Sequence, residues 1–394
     1  MLEHRRATVR DLRRENRAAV LWSLYFSRPL SRQELSAATG LSPASVTNVI
    51  RELRDEGIVV EAGSVDSDGG RPRVMLDINA EHGYVIGVDV GETRVRVELF
   101  DLTMTERAKA EYPMDPARHD VGVVVEQIIS GLDTVLADGG VEPAAVLGVG
   151  IGVPGIVEQG PEVLFHGQTY GWEAVPLGRL LRAGTDLPLR FENCAKTMGQ
   201  AELWFGAGRG TRNAIVTLIG SGVGASLISG GATYQGATSS AAEWGHTVIV
   251  ADGRKCRCGS SGCLEAYVGA EAILERYGRP TAGHGEESAL AALIEAAGTS
   301  ALAAAILEET AGYLGAGIAN LINLFNPERV IIGGWAGLLL GRRMLPAIRE
   351  SARRHSLRHP FAAASIELGQ LGPDAVTLGA AALPVEYFLN GVPR

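Results

Sequence analysis

Apolar positions recur along this chain at two periods, and the change from one to the other divides it. From Leu30 to Leu53 they return every three or four residues, as one face of a helix does. Ser31 and Glu34 have the spacing of a capping box, and Leu30 and Leu35 take the two positions of a hydrophobic staple, so a helix is expected to start after Ser31. It should stop at Thr39, because Gly40 suits the left-handed position that closes a helix. A second helix then starts from Ser42 as N-cap, with Pro43 in its first turn and Leu41 stapled to Val46. Val46, Val49, Ile50 and Leu53 form its inward stripe, which leaves Ser45, Thr47, Asn48 and Arg51 facing outward.

After Gly57, "IVVEAG" and "RVMLDI" read as two strands joined by "SVDSDGGRP". Two short helices on a glycine-containing turn, followed by a basic hairpin, are the layout of a winged helix-turn-helix, whose second helix enters the major groove of DNA. Ser45, Thr47, Asn48 and Arg51 would then meet bases or phosphates. Arg71 and Arg73, at the tip and base of the wing, could enter a narrow minor groove. Capped helices alone fit a small protein-interaction module equally well; the coincidence of helices, turn and basic hairpin in this order is what points to DNA.

Beyond residue 80 the pattern is that of strands. "YVIGVDVGETRVRVELFD" (84–101) is an apolar strand, a turn at Gly91 and an alternating strand, and "NAIVTLIGSGVGASLISGG" (213–231) repeats the scheme. Such duplication predicts two similar α/β lobes facing a cleft. Turns of this kind offer backbone N–H groups to anions, although any single one is more often a plain hairpin. "GVGIGVPGIVE" (148–158) reads as a third glycine loop after an apolar strand. "NPERVIIGGW" (326–335) brings a strand to a glycine pair after a long Ala/Gly-rich helix over 301–325. In such folds ligands bind at loops beyond the strand C-termini.

Composition narrows the class. At roughly 150 residues per domain, 394 residues leave room for two or three domains. A hydrophobic share of 46% with 21% charged is ordinary for a globular protein. No apolar run of about 20 residues and no signal-peptide core are present, so a cytoplasmic protein without a membrane partner is expected. Residues 1–75 hold 12 Arg and no Lys against 10 acids, while the whole chain carries −9. The acidic body is a poor surface for nucleic acid, and any DNA contact should come from the N-terminal segment.

Three of the four cysteines crowd into "CRCGSSGC", which suggests a metal rather than a disulfide framework. His246, Cys256, Cys258 and Cys263 supply four ligands of the type that holds tetrahedral zinc, with Gly259 and Gly262 as turns of a tight knuckle. A full protein set leaves no open position, so one structural zinc per chain is expected, fixing the loop and the orientation of His246. The other imidazole nitrogen of His246, with Glu243, Glu265 and Asn193, gives a group of polar side chains suited to a polyhydroxylated ligand.

The ordered set "GRPR", "DVGETR", "GVPG", "ENCAK", "EWGH", "CRCGSSGCLE" and "NPERVIIGG" resembles the ROK family of sugar kinases and sugar-responsive repressors over almost the whole chain. The resemblance implies a winged helix-turn-helix over 1–76 and a two-lobed actin-like body, a ribonuclease H-like duplicate, over 82–394. Lobe one would cover about 82–200 plus the C-terminal helix, and lobe two about 201–372. It also implies sugar contacts from Gly155 of "GVPG", Asn193, Glu243, His246 and Glu265. Cys194 departs from the kinase pattern, where an aspartate acts as general base; a thiol of ordinary pKa about 8.5 is no substitute. Glu92 stands where that pattern has a second glycine, bringing bulk and negative charge to the phosphate site. The expected protein is a sugar-responsive transcriptional repressor with a degenerate kinase cleft and no enzymatic activity, acting on operator DNA as a homodimer or homotetramer. An active sugar kinase with a DNA-binding region, or a DNA-binding protein whose cleft docks another protein, are the alternatives.

Overall fold

The computed structural model of the chain describes residues 9–67, 70–114, 120–167, 170–278 and 285–391. Three helices open it: α1 (Val9–Ser27), α2 (Arg32–Thr39) and α3 (Pro43–Asp55). The caps are those the residues specify. Ser31 accepts from the Glu34 amide while the Glu34 carboxylate takes the Ser31 N–H at 2.8 Å, and Gly40 closes α2 at φ +71°. Ser42 caps α3, accepting from Ser45 N at 3.1 Å, and Val46, Val49, Ile50 and Leu53 are buried.

Helix α1 was not anticipated. Its buried stripe of Val20, Leu21, Leu24 and Tyr25 has helical spacing, but lies next to a polar, Arg-rich stretch that hides it. The hairpin is also longer than expected. Strand β1 (Leu30–Ser31) pairs with β3 (Gly70–Ile78), which pairs with β2 (Val59–Ser67), and Ser67 stands opposite Gly70. Most of the expected connection is therefore paired strand.

The body contains two five-stranded sheets. The first runs β11–β7–β4–β5–β6 and comprises β4 (Tyr84–Val90), β5 (Arg94–Asp101), β6 (Glu106–Pro113), β7 (Val146–Val153) and β11 (Leu189–Asn193). A small sheet of β8 (Ile156–Glu158), β9 (Leu164–Gly167) and β10 (Trp172–Val175) lies beyond it. The second large sheet, β14–β13–β12–β15–β16, comprises β12 (Ala214–Ile219), β13 (Val223–Ser229), β14 (Ala232–Thr233), β15 (Arg329–Gly333) and β16 (Ser365–Leu368). In each, the first strand is central, with an antiparallel meander on one side and two parallel strands on the other. The duplication read from the two glycine hairpins is one topology used twice.

Five long helices carry the packing, beside the shorter α5 (Leu177–Leu181), α7 (Glu265–Val268), α8 (Ala270–Arg276), α9 (Glu286–Ala296) and α12 (Arg358–Ala363). On the first sheet, α4 (Val121–Gly139) covers β5 and β6, and α13 (Ala375–Leu389) covers β4 and β7. On the second sheet lies α6 (Cys194–Phe205), while α10 (Ala301–Phe325) pairs with α11 (Trp335–His355). The run "GVGIGV" is strand β7 rather than a loop, and its glycines explain themselves through α13. A Cβ on Gly150 would lie 1.7 Å from the Ala380 carbonyl oxygen, and one on Gly148 2.9 Å from the Pro384 Cβ. Only the Pro154–Gly155 end of that segment is a turn.

Helices α6 and α13 pack on each other at the centre of the body, where a Cβ on Gly379 would meet the Thr197 carbonyl oxygen at 1.8 Å. Helix α6 runs straight through the lobe boundary expected near residue 200. The N-terminal helices rest on this centre. A single apolar core joins Val20, Leu21 and Leu24 to Trp204, Val385 and Leu389. Trp22 stacks on Phe26 at 5.4 Å and meets Trp204 edge-on at 5.3 Å, and its Nε1 donates to Asn390 Oδ1 at 3.0 Å. Among the described residues no single helix is long and apolar enough to cross a membrane.

Candidate functional site

Between the two sheets lies a cavity of about 520 Å³, lined by the ends of β4, β11, β12 and β13 and by the cysteine-rich loop. Strand β11 ends at Asn193, and this residue caps α6. Its Oδ1 accepts from Ala195 N at 2.8 Å and Lys196 N at 3.2 Å, and its Nδ2 donates to the Gly155 carbonyl at 2.7 Å. Gly155 has φ +91°, and a Cβ there would sit 2.3 Å from the His166 carbonyl, so only glycine fits. Asn193 and Gly155 are thus fastened to each other first; one amide N–H of Asn193 is left for a ligand.

Cys194, the first residue of α6, lines the cavity. Burial, and then the nearby carboxylates of Asp89, Glu243 and Glu92, push its thiol well above the ordinary range, so it is neutral at physiological pH. Asp89, at the end of β4, is itself pushed up to about 6 by burial, against the pull of Arg96 and Arg94. A neutral thiol beside a half-buried carboxyl offers no general base at the position of Cys194.

Glu243 half-buries its carboxyl in the same cavity, and burial raises its pKa. The chain before it is tied down by Lys196. The buried ammonium donates to Gln235 Oε1 at 2.7 Å and to the Ser239 carbonyl at 2.5 Å, and Gln235 in turn donates to Glu192 at 2.8 Å. Nothing in "FENCAK" marks that lysine as special, because its partners lie about forty residues away.

His246, Cys256, Cys258 and Cys263 come together, with all four ligand atoms within 4.8 Å of one another. His246 Nδ1 lies 3.8 Å from Cys256 Sγ, and Cys258 Sγ lies 3.7 Å from Cys263 Sγ. Metal bonds of about 2.0–2.3 Å at tetrahedral angles require separations of about this size, so the four donors fit one metal ion. Gly259 and Gly262 take φ +89° and +79°, and a Cβ on Gly262 would meet the Val250 carbonyl at 1.8 Å, so the knuckle depends on both. With Nδ1 directed at the metal position, Nε2 of His246 is the nitrogen left to the cavity.

Glu265 is buried and already occupied. Its Oε2 accepts from Val223 N at 2.9 Å, and its Oε1 from Arg257 Nε at 3.1 Å. Arg257, between two of the cysteines, was not singled out from sequence. It reaches across the cleft and binds Glu92 in bidentate fashion, Nη1 to Oε2 at 2.7 Å and Nη2 to Oε1 at 2.9 Å. Glu92 therefore does not project as a free charge, as the sequence suggested; it is half of an ion pair between the lobes. The signal available is positional, since a residue between two candidate metal ligands has little freedom to move.

On α3, Thr47, Asn48 and Arg51 are exposed and Ser45 is half-exposed. Arg51 Nη2 donates to Asn48 Oδ1 at 3.1 Å, and the Thr47 hydroxyl turns back to Pro43 O at 2.8 Å. Arg73, half-exposed on β3, lies 3.8 Å from Glu34, while the side chain of Arg71 lies outside the described residues.

Comparison with known proteins agrees with this architecture. The winged helix-turn-helix DNA-binding family matches residues 27–60, and the ROK family matches residues 85–386. A xylose repressor of Caldicellulosiruptor bescii is 32% identical over 96% of this chain and 97% of its own. A crystal structure of a ROK family transcriptional regulator, a homologue of the E. coli MLC protein, superimposes with TM-score 0.79 over 97% of this chain and 98% of that one. At 24% identity this is a likeness of fold. A ROK family glucokinase of Streptomyces griseus, solved with glucose and AMPPNP, gives TM-score 0.66 and 29% identity over 76% of this chain and 99% of its own. Two sheets of one topology, the cysteine knuckle and the winged N-terminal region thus stand in a chain that belongs to the ROK family.

Proposed function

We propose that this protein is a DNA-binding transcriptional repressor, that its cleft binds a sugar effector, and that it transfers no phosphoryl group. The observation that carries the reading is helix α6. It begins with Asn193 and Cys194 in the cavity and ends with Trp204 against Trp22 and Phe26 of α1, at 5.3 and 5.1 Å. Twelve helical residues span about 18 Å as one rigid rod, so a ligand that moves the start of α6 displaces the seat of the DNA-binding region. A repressor relative that matches almost end to end, against a glucokinase that matches three quarters of the chain, supports the same reading.

In this reading the ligand hydroxyls meet the remaining N–H of Asn193, the Glu243 carboxylate, His246 Nε2, and the edges of Gly155 and Glu265. A zinc ion on His246, Cys256, Cys258 and Cys263 would fix the knuckle and hold the His246 ring in register. The residues of α3, with Asn48 and Arg51 foremost, would read a palindromic operator from a symmetric homo-oligomer.

The test is a thermal-shift screen of monosaccharides on the full-length protein, followed by operator binding with and without each hit. A sugar that stabilises the protein and changes operator affinity is the expected result. Sugar-dependent phosphate transfer from labelled ATP at ordinary enzyme turnover, lost on mutation of the cleft, would overturn the regulator-only reading. Cys194→Asp, which restores a carboxylate, should raise transfer slightly at most.

A further inference from the structure

The end of the cavity beyond Cys194 contains two glycine turns, Gly91–Thr93 between β4 and β5 and Gly220–Gly222 between β12 and β13. Each could offer an amide cradle to an anion. In each, the chain itself takes the opening amide, and a carboxylate takes the amide that follows the second turn. Gly91 N donates to Arg94 O at 2.9 Å, Gly220 N to Gly222 O at 2.8 Å, and Val223 N to the Glu265 carboxylate at 2.9 Å. The Glu92–Arg257 pair lies directly on the second turn. A Cβ placed on Gly222 would be 2.5 Å from Arg257 Nη2 and 3.3 Å from Glu92 Oε1.

The cations of the cavity are committed as well. Arg257 serves Glu92, Glu265 and, at 3.3 Å, Glu271. Arg96 lies 2.7 Å from Glu111 and is hydrogen-bonded to Asp374, and Arg94 sits 3.6 Å from both Glu111 and Glu287. Carboxylates outnumber arginines along the lining and again among these partners. A phosphate entering here would lose its hydration, displace a bidentate carboxylate and face a net negative field.

We infer that Glu92 is an internal occupant of the anion seat: with Arg257 it forms a clasp between the lobes, which restricts the effector to an uncharged sugar and shuts out sugar phosphates and nucleotides. The identity of the effector as a sugar rests on the function proposed above; the clasp does not. Because Arg257 is held between Cys256 and Cys258, the knuckle that orients His246 also holds the clasp.

The experiment is isothermal titration of the full-length protein, metal included, with inorganic tripolyphosphate, with AMPPNP and magnesium, and with each neutral sugar hit beside its phosphate ester. The wild type is expected to bind neither polyphosphate nor AMPPNP detectably, and any phosphate ester at least tenfold more weakly than its parent sugar. Glu92→Gly, and independently Glu92→Gln, which keeps the size and removes the charge, should free Arg257 and raise tripolyphosphate affinity at least tenfold. Adding Arg257→Gln should abolish that gain. Tripolyphosphate or a phosphate ester binding the wild type well, or neither Glu92 variant gaining anion affinity, would overturn the clasp. A gain by the Glu92 variants while no sugar binds any form would support the clasp and defeat the sugar reading instead.

Discussion

The two lobes have the same strand order and each lays its sheet on one central helix, yet they use the shared plan for different ends. In lobe one, α13 lies on β4 and β7, and the contact is backbone on backbone: a Cβ on Gly150 or Gly87 would meet a carbonyl oxygen of α13 at 1.7 or 2.0 Å. In lobe two, α6 lies on β12 and β13, where a Cβ on Gly199 would meet the Ser226 side chain, Oγ at 2.2 Å and Cβ at 2.3 Å. The turn of lobe one reads Gly91-Glu92-Thr93 and that of lobe two Gly220-Ser221-Gly222; Asp89 in one sheet has the position of Leu218 in the other. On one topology, the first lobe brings Asp89 and Glu92 to the cavity, and the second brings Glu243, Glu265 and the cysteine knuckle.

The sharpest way to break the comparison is through those helix contacts. Gly150→Val is expected to cost more than about 4 kcal/mol, because neither strand nor helix backbone can withdraw, and the variant should be insoluble or melt far below the wild type. Gly199→Ala should cost less, about 1–3 kcal/mol, and Ser226→Gly in the same chain should recover part of it by removing the obstructing atoms. Urea unfolding followed by circular dichroism measures both. Equal costs at the two positions would mean that the lobes are held to their helices in the same way.

Among the described residues the knuckle has no counterpart in lobe one, and its removal should be felt next. Cys258→Ser is expected to lose bound zinc, to lower stability by about 3 kcal/mol, and to weaken sugar affinity at least tenfold, since His246 and Arg257 both lose their anchor. Metal content by plasma emission and titration with the sugar hit read the two effects separately. Normal sugar binding by demonstrably zinc-free protein would detach the metal from the effector site.

How much of this was legible in advance follows the range of the interactions. Caps, staples and inward stripes are local, and the helices at Ser31 and Ser42 came out as their residues specify. The cysteine knuckle was legible because metal chemistry demands particular residue types at close spacing. The glycines of β7 read as a loop in the sequence because their reason is a helix more than two hundred residues further along the chain. Lys196 and the Glu92–Arg257 pair are hidden for the same cause: a charge in the sequence does not name its partner, which for Lys196 lies about forty residues on and for Glu92 in the other lobe.

A smaller effect is expected where the lobes meet the N-terminal helices. Trp22→Leu leaves α3 and the cavity untouched but removes the edge contact with Trp204 and the hydrogen bond to Asn390. Operator affinity without ligand and sugar affinity should each stay within about threefold. The change in operator affinity on adding sugar should shrink by about 1–2 kcal/mol, a typical coupling energy. Fluorescence anisotropy of labelled operator at zero and saturating sugar gives the number. Unchanged coupling would remove α6 and α1 as the connection.

The smallest effect tests Asp89 against Leu218, where the central strands of the two sheets differ by a charge. Burial raises the Asp89 carboxyl to about 6 in the folded chain, against about 3.9 when unfolded. Between those values the folded state binds more protons than the unfolded one, so this group makes stability fall as pH rises from about 4 to 6 and contributes no further slope above that. A shift of this size is at most about 3 kcal/mol, with the pull of Arg96 on the carboxylate already included, and the amide of Asp89→Asn reproduces only part of the contacts of the protonated acid. The variant should therefore match the wild type near pH 4, gain on it through pH 6, and be about 1 kcal/mol more stable at pH 7.5. Denaturant midpoints at the three pH values measure the difference. A variant less stable than the wild type at pH 7.5 would show that Asp89 is held charged by Arg96, and that the two lobes differ at this position by an ion pair rather than by a buried acid.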